Sequence, residues 1–111
     1  MIIYVDKKGN AYHITSEEVY QNSNEQTDFR IVGDFDPLAN FKCSFKLPSG
    51  VITPPKDMQY ELFSEQNSWK LPITSDLTED YGIMKFQFRG DLNGKTVATG
   101  RGVINIIRSE L

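Results

Sequence analysis

The stretch Phe41-Lys42-Cys43-Ser44-Phe45-Lys46-Leu47 decides the fold class of this chain. Phe41, Cys43, Phe45 and Leu47 fall on one face and Lys42, Ser44 and Lys46 on the other, because side chains alternate sides in an extended strand. Met84-Lys85-Phe86-Gln87-Phe88-Arg89 repeats the pattern, with its apolar residues turned one way and its polar ones the other. A period of two that recurs in separate segments specifies sheets with one dry and one wet face. The expected class is all-β and antiparallel.

Working outward, Asn93-Gly94 separates Ile83–Arg89 from Lys95–Ile107. That dipeptide favours the two-residue turn of a hairpin, so these two strands should pair. Gly100 and Gly102 predict a bulge or bend in the last strand. Val103–Ile107 is almost continuously apolar, a run expected to be covered on both faces. Upstream, Pro48-Ser49-Gly50 reads as a turn, and Pro54-Pro55 bars helix and central pairing. Met58, Tyr60 and Leu62 alternate with Gln59, Glu61 and Phe63, and Trp69, Leu71 and Ile73 with Lys70, Pro72 and Thr74, where Pro72 suits an edge or a strand end. Asp28–Phe35 carries a strand with Phe29 and Ile31 on one face.

At the N-terminus, Ile2–Val5 and Ala11–Ile14 flank Asp6-Lys7-Lys8-Gly9-Asn10, the pattern of a β-hairpin. Thr15 and Glu18 have capping-box spacing, but Gln21–Thr27 is polar and unpatterned, so Ser16–Thr27 reads as a loop or linker. The expected organisation is an N-terminal hairpin and linker over 1–27 and a sandwich over 28–111. Seven or eight short strands with turn signals every ten or so residues point to an antiparallel immunoglobulin-like β-sandwich.

The chain has 111 residues, one ordinary domain, with seven Phe, five Tyr and one Trp to fill its core. Its formal charge of −3 argues against a nucleic-acid partner, which would call for a basic face. Ile2–Val5 is too short for a signal-peptide core or a membrane span, so neither secretion by the general route nor a membrane partner is expected. Cys43, the single cysteine, lies on an apolar strand face and reads as a buried small hydrophobe. The lack of a disulfide framework fits synthesis in a reducing cytoplasm.

No constellation points to catalysis, a metal or a cofactor. His13 is the only histidine and has no nucleophile motif nearby. Asp34, Asp36 and Asn40 have calcium-loop flavour but lack the required Gly and distant Glu, and a turn is the simpler reading. Glu17-Glu18 and Glu79-Asp80 lie in polar loops. Tyr60, Phe63, Trp69 and Tyr81 invite a sugar-stacking reading, against which a tryptophan on a period-two strand is more often a core anchor.

Phe41 to Ile107 resembles the N-terminal domain of phage baseplate upper proteins of the lactococcal type. The resemblance is carried by Phe41-x-Cys43-x-Phe45-x-Leu47, then Pro48-Ser49-Gly50-Val51-Ile52, then Trp69-Lys70-Leu71-Pro72. It continues through Tyr81-Gly82-Ile83-Met84-Lys85-Phe86-Gln87-Phe88 and the hairpin Leu92-Asn93-Gly94-Lys95. It implies an immunoglobulin-like fold, a structural role in a phage tail tip, no catalytic residues, and residence in a virion after synthesis in a bacterial cytoplasm. Members of that family continue into a long helical or receptor-binding region. The chain stops at Leu111, so the expectation is an accessory protein or one piece of an assembly.

The expected function is therefore a virion structural protein, not an enzyme, whose partners are other tail or baseplate proteins, with self-association a further option. Ile2, Tyr4 and Tyr12 of the hairpin, and Val103, Ile104, Ile106 and Ile107 of the last strand, are the expected interface residues, since a lone hairpin gains by packing on a partner. The alternative is a small phage- or prophage-encoded binding protein. It would be a carbohydrate-binding module, or a host-enzyme inhibitor using Glu17, Glu18, Glu25 and Asp28.

Overall fold

A computed structural model describes residues 1–109 apart from 7, 9, 10, 16, 17 and 26, with backbone alone along 11–15. Among the described residues the chain forms strands and no helix: β1 (Ile2–Val5), β2 (Ala11–Thr15), β3 (Val19–Tyr20), β4 (Asp28–Gly33), β5 (Asn40–Lys46), β6 (Lys56–Asp57), β7 (Gln59–Phe63), β8 (Gln66–Pro72), β9 (Gly82–Leu92) and β10 (Lys95–Ile107). They make two five-stranded sheets, one in the order β2-β1-β4-β8-β7 and the other β3-β10-β9-β5-β6.

The alternation in Phe41–Leu47 places Phe41, Cys43 and Phe45 inside and Lys42 and Lys46 outside. Met84, Phe86 and Phe88 do the same on β9. The two dry faces meet in a sandwich-like arrangement. The Phe29 ring of the first sheet stands 4.8 Å from Phe86 and 5.9 Å from Phe45, and Trp69 lies 4.4 Å from Phe41. The Trp69 indole N–H, which burial would otherwise leave unpaired, donates to the Ala39 carbonyl at 3.0 Å.

Three large rings fit this layer because each faces a glycine across the ladder. Phe41 is opposite Gly90, Phe88 opposite Gly100, and Phe86 opposite Gly102. A Cβ at any of these glycines would come within 2.6 Å of the facing ring. Gly100 and Gly102 thus make room for aromatics. The irregularity in β10 lies instead between Thr96 and Ala98. The Asn93-Gly94 turn is as expected, with φ of 52° and 76°, and β9 pairs antiparallel with β10. A second two-residue turn, Ser64-Glu65, joins β7 to β8 with both φ positive and no glycine.

The expectation of purely antiparallel sheets is corrected at two places. β1 runs parallel to β4, with Ile2–Val5 against Arg30–Gly33, and β3 runs parallel to the end of β10. Of the capping-box pair, Thr15 ends β2 and Glu18 directly precedes β3, while Ser16 and Glu17 between them lie outside the described residues. Beyond them the expected linker holds β3, an edge strand of the second sheet, lying in the chain between β2 and β4 of the first. The Gln21 N–H bonds to the Ile107 carbonyl, the Asn22 N–H to Thr78 and the Glu25 N–H to Ile73, so the segment straps both sheets together.

Candidate functional site

The expected interface residues divide along the faces of their strands. Ile104 and Ile106 are 3% and 1% exposed, so they belong to the core and do not form a docking patch. Val103, on the opposite face, is 54% exposed. The run Val103–Ile107 is therefore covered on one side only, because Asn105 and Val103 alternate outward with the buried isoleucines. Ile2, Tyr4 and Ile107 are half-buried. Tyr12 and His13 sit on β2, whose side chains lie outside the described residues. β1 itself is a paired strand of the first sheet rather than a free arm.

The aromatics expected for sugar stacking do not form one row. Trp69 is buried. Tyr60 packs edge-on against it at 5.6 Å and donates its hydroxyl to Asn67 Oδ1 at 2.6 Å. Phe63 lies 4.5 Å under the Arg30 guanidinium, while Tyr81 stands apart near Arg108. Asp36 acts as the turn residue of the simpler reading, its Oδ1 accepting the Leu38 N–H at 2.8 Å. Glu18, Glu25 and Asp28 are exposed, and Glu18 accepts a hydrogen bond from Tyr20; Glu17 lies outside the described residues. Cys43 is buried, and loss of hydration pushes its thiol up to about 12 despite a backbone hydrogen bond from Gln87.

The surface with the strongest chemical character is the outer face of β5, β9 and β10, which no single residue announces in the sequence. Register builds it. Lys46 stands opposite Lys85, Lys42 opposite Arg89, and Ser44 opposite Gln87; on the next strand Gln87 faces Arg101 and Lys85 faces Val103. Five cations thus share one wet face of a chain whose net charge is −3. Lys42 and Arg89 have carboxylates at hand, Asp57 at 3.7 Å and Asp91 at 2.9 Å. Arg89, followed by the Thr96 hydroxyl, holds the Asp91 carboxyl below its ordinary range despite the loss of hydration. Among the described residues, no carboxylate lies within ion-pair distance of Lys46, Lys85 or Arg101.

These three cations rim a shallow groove of about 560 Å³, which Ile52 and Val103 also line. Ile52 is 67% exposed, and Ile83 adds a further exposed apolar side chain beside Asn105. The groove has no nucleophile–base pair and no enclosed floor; it offers charge, donors and apolar contact. A second groove, on the other sheet, runs between Tyr4, Val32 and Asn67 and carries the carboxylates Asp6, Asp34 and Glu65. The contrast gives the molecule a polarised surface that net charge alone conceals.

The cationic face was legible only in part. The period of two turns Lys42, Ser44 and Lys46 outward, and Lys85, Gln87 and Arg89 likewise. That they stack on one another follows from the β5–β9 register, a pairing between residues some forty apart that periodicity does not reveal. The chain matches no protein-family model, and no curated protein matches it in sequence.

Proposed function

We propose that the chain is a non-catalytic assembly module of immunoglobulin-like type that makes protein–protein contacts within a phage tail or baseplate. The observation that carries the reading is the outer face of β5, β9 and β10, where Lys46, Lys85 and Arg101 lack counter-ions among the described residues and interleave with exposed Ile52, Ile83 and Val103. Like charges set directly opposite each other weaken a sheet. A face that keeps them beside exposed apolar groups is suited to an acidic protein partner, which would supply the missing charge and cover the apolar area.

Strand order supports the immunoglobulin-like part of the reading. In such folds B, E and D share one sheet while C, F and G share the other. Here β4, β8 and β7 stand in the first order and β5, β9 and β10 in the second, with β3 parallel to β10 as a further edge. Where antibody domains join strands B and F by a disulfide, Phe29 of β4 meets Phe86 of β9. The resemblance of Phe41–Ile107 to baseplate upper proteins supplies the phage setting.

The test is capture of the tagged chain from induced cells of its source, beside a Lys46→Glu/Lys85→Glu variant. Recovery of tail or baseplate proteins in fixed ratio, lost with the variant, is the expected result. Recovery of a single host enzyme without tail proteins would replace this reading with that of an inhibitor.

A further inference from the structure

β10 is the longest strand, yet among the described residues its outer edge is paired only at its end. β3 pairs with Ile106 and Ile107 alone, and among the described residues no strand lies beside Thr99–Val103 on the side away from β9. The direction of the open backbone groups follows from one bond. The Ile107 carbonyl turns away from β9 to accept the Gln21 N–H at 2.8 Å. Ladder bonds alternate along a strand, and the pairing from Ala98 to Ile106 is regular. The backbone N–H and C=O groups of Thr99, Arg101 and Val103 therefore also face away from β9, into the open edge. The side chains of those residues point to the cationic face, beside Lys85 and Gln87.

We infer that this edge accepts an extended segment of another protein as an added strand, and that the segment carries carboxylates at alternate positions. The inference deepens the assembly reading and rests on it. An added strand would bond to the open groups of Thr99, Arg101 and Val103, and every second side chain would lie next to Arg101, within the field of Lys85 and Lys46. Cross-strand neighbours of opposite charge stabilise such a pair and like charges destabilise it. The same rule disfavours a second copy of β10 as occupant. Antiparallel self-pairing centred on Arg101 would set that guanidinium against its own twin, the device by which natural edges resist self-association. An added strand would also cover Val103, which lines the groove and is exposed.

The probe is a synthetic peptide of alternating Glu and Val, about as long as an ordinary strand, titrated into the 15N-labelled full chain. A peptide of the same composition with N-methylated amides along one edge serves as control. The expected result is saturable binding, protection of the Thr99, Arg101 and Val103 amides from solvent exchange, and no binding by the control. Arg101→Glu should weaken binding about tenfold or more. Val103→Pro should abolish it while keeping a dispersed native spectrum, because the Val103 N–H contributes no bond to β9. If that proline disturbs the fold, Arg101→Glu and the N-methylated control still decide. Binding that survives N-methylation, without amide protection, would overturn strand addition while leaving a side-chain docking face and the assembly reading intact. Absence of any peptide binding would overturn the inference, and loss of tail-protein capture by the native chain would overturn the assembly reading itself.

Discussion

Gly90, Gly100 and Gly102 have the same role: each vacates the place a facing phenylalanine ring fills. The Cβ of an alanine at Gly90 would lie 2.5 Å from Phe41, a ring with no exposed surface and Trp69 at 4.4 Å behind it. Gly90→Ala should therefore destabilise by about 2–3 kcal/mol, the cost of overpacking a filled core. Gly50 differs, since its space is open and only its φ of 95° is unusual. Gly50→Ala should cost about 1–2 kcal/mol, from conformation alone. Urea midpoints of the two variants check the order. Cys43 offers a second test at this scale. Its thiol is held up to about 12 in the folded chain, above the unfolded value, so the unfolded state releases its proton first as pH rises. The contribution is whole below about pH 8.5 and is lost progressively towards pH 12. Stability measured across that window should fall more steeply for the native chain than for Cys43→Ala, which removes this titration while leaving the tyrosines and lysines in place.

The hairpins show why some elements were readable and others were not. Asn93-Gly94 announces its turn because both residues tolerate positive φ. Ser64-Glu65 makes a turn of the same length at φ of 48° and 65° with residues that do not favour it, so nothing local marks it. Replacing Ser64-Glu65 by Asn-Gly should stabilise the chain by about 1 kcal/mol, read from thermal or urea unfolding. The alternation of β5 and β9, the Asn93-Gly94 hairpin and the ending of β8 at Pro72 are likewise legible from neighbouring residues alone, whereas the alternation of Tyr60 and Leu62 gives β7 no dry face, since both are exposed. The parallel partners of β4 and β10 are not legible, because pairings between distant segments leave no periodic trace. The candidate site suffers the same limit. Lys46 and Lys85 are each readable as outward, but only register makes them a like-charged pair. Lys85→Glu should convert that repulsion to attraction and stabilise the sheet by about 0.2–1 kcal/mol, an effect that high salt suppresses. A stabilising substitution that abolishes partner binding would mark the pair as retained for contact rather than for folding.

At the scale of the whole molecule, the N-terminal segment is built into both sheets. β1 covers one edge of β4, and β3 covers the end of β10. Met1, Ile3, Val5 and Val19 all join the common core. The loop at 73–78 closes the strap. Thr78, fully buried, donates its hydroxyl to the Ser23 carbonyl at 2.7 Å, and Ser75 N–H bonds to Asn24 Oδ1 at 2.9 Å. A boundary near residue 27 would let 28–111 fold alone, and the burial just described sets the cost of that cut. Each of the four apolar side chains contributes about 1.5–3 kcal/mol. Their sum, of order 6–12 kcal/mol, is comparable to the entire stability of an ordinary domain, about 5–15 kcal/mol. The cut would also expose the β4 edge beside Arg30, whose N–H bonds to the Met1 carbonyl at 2.9 Å. Residues 28–111 expressed alone should therefore lack a dispersed amide spectrum and a cooperative melt. In the full chain, the amides of β1 should exchange no faster than those of β9, because both open only when the sandwich unfolds. A folded 28–111 fragment, or fast exchange confined to β1, would instead show that the N-terminal hairpin is an appendage and is free to serve as a docking arm.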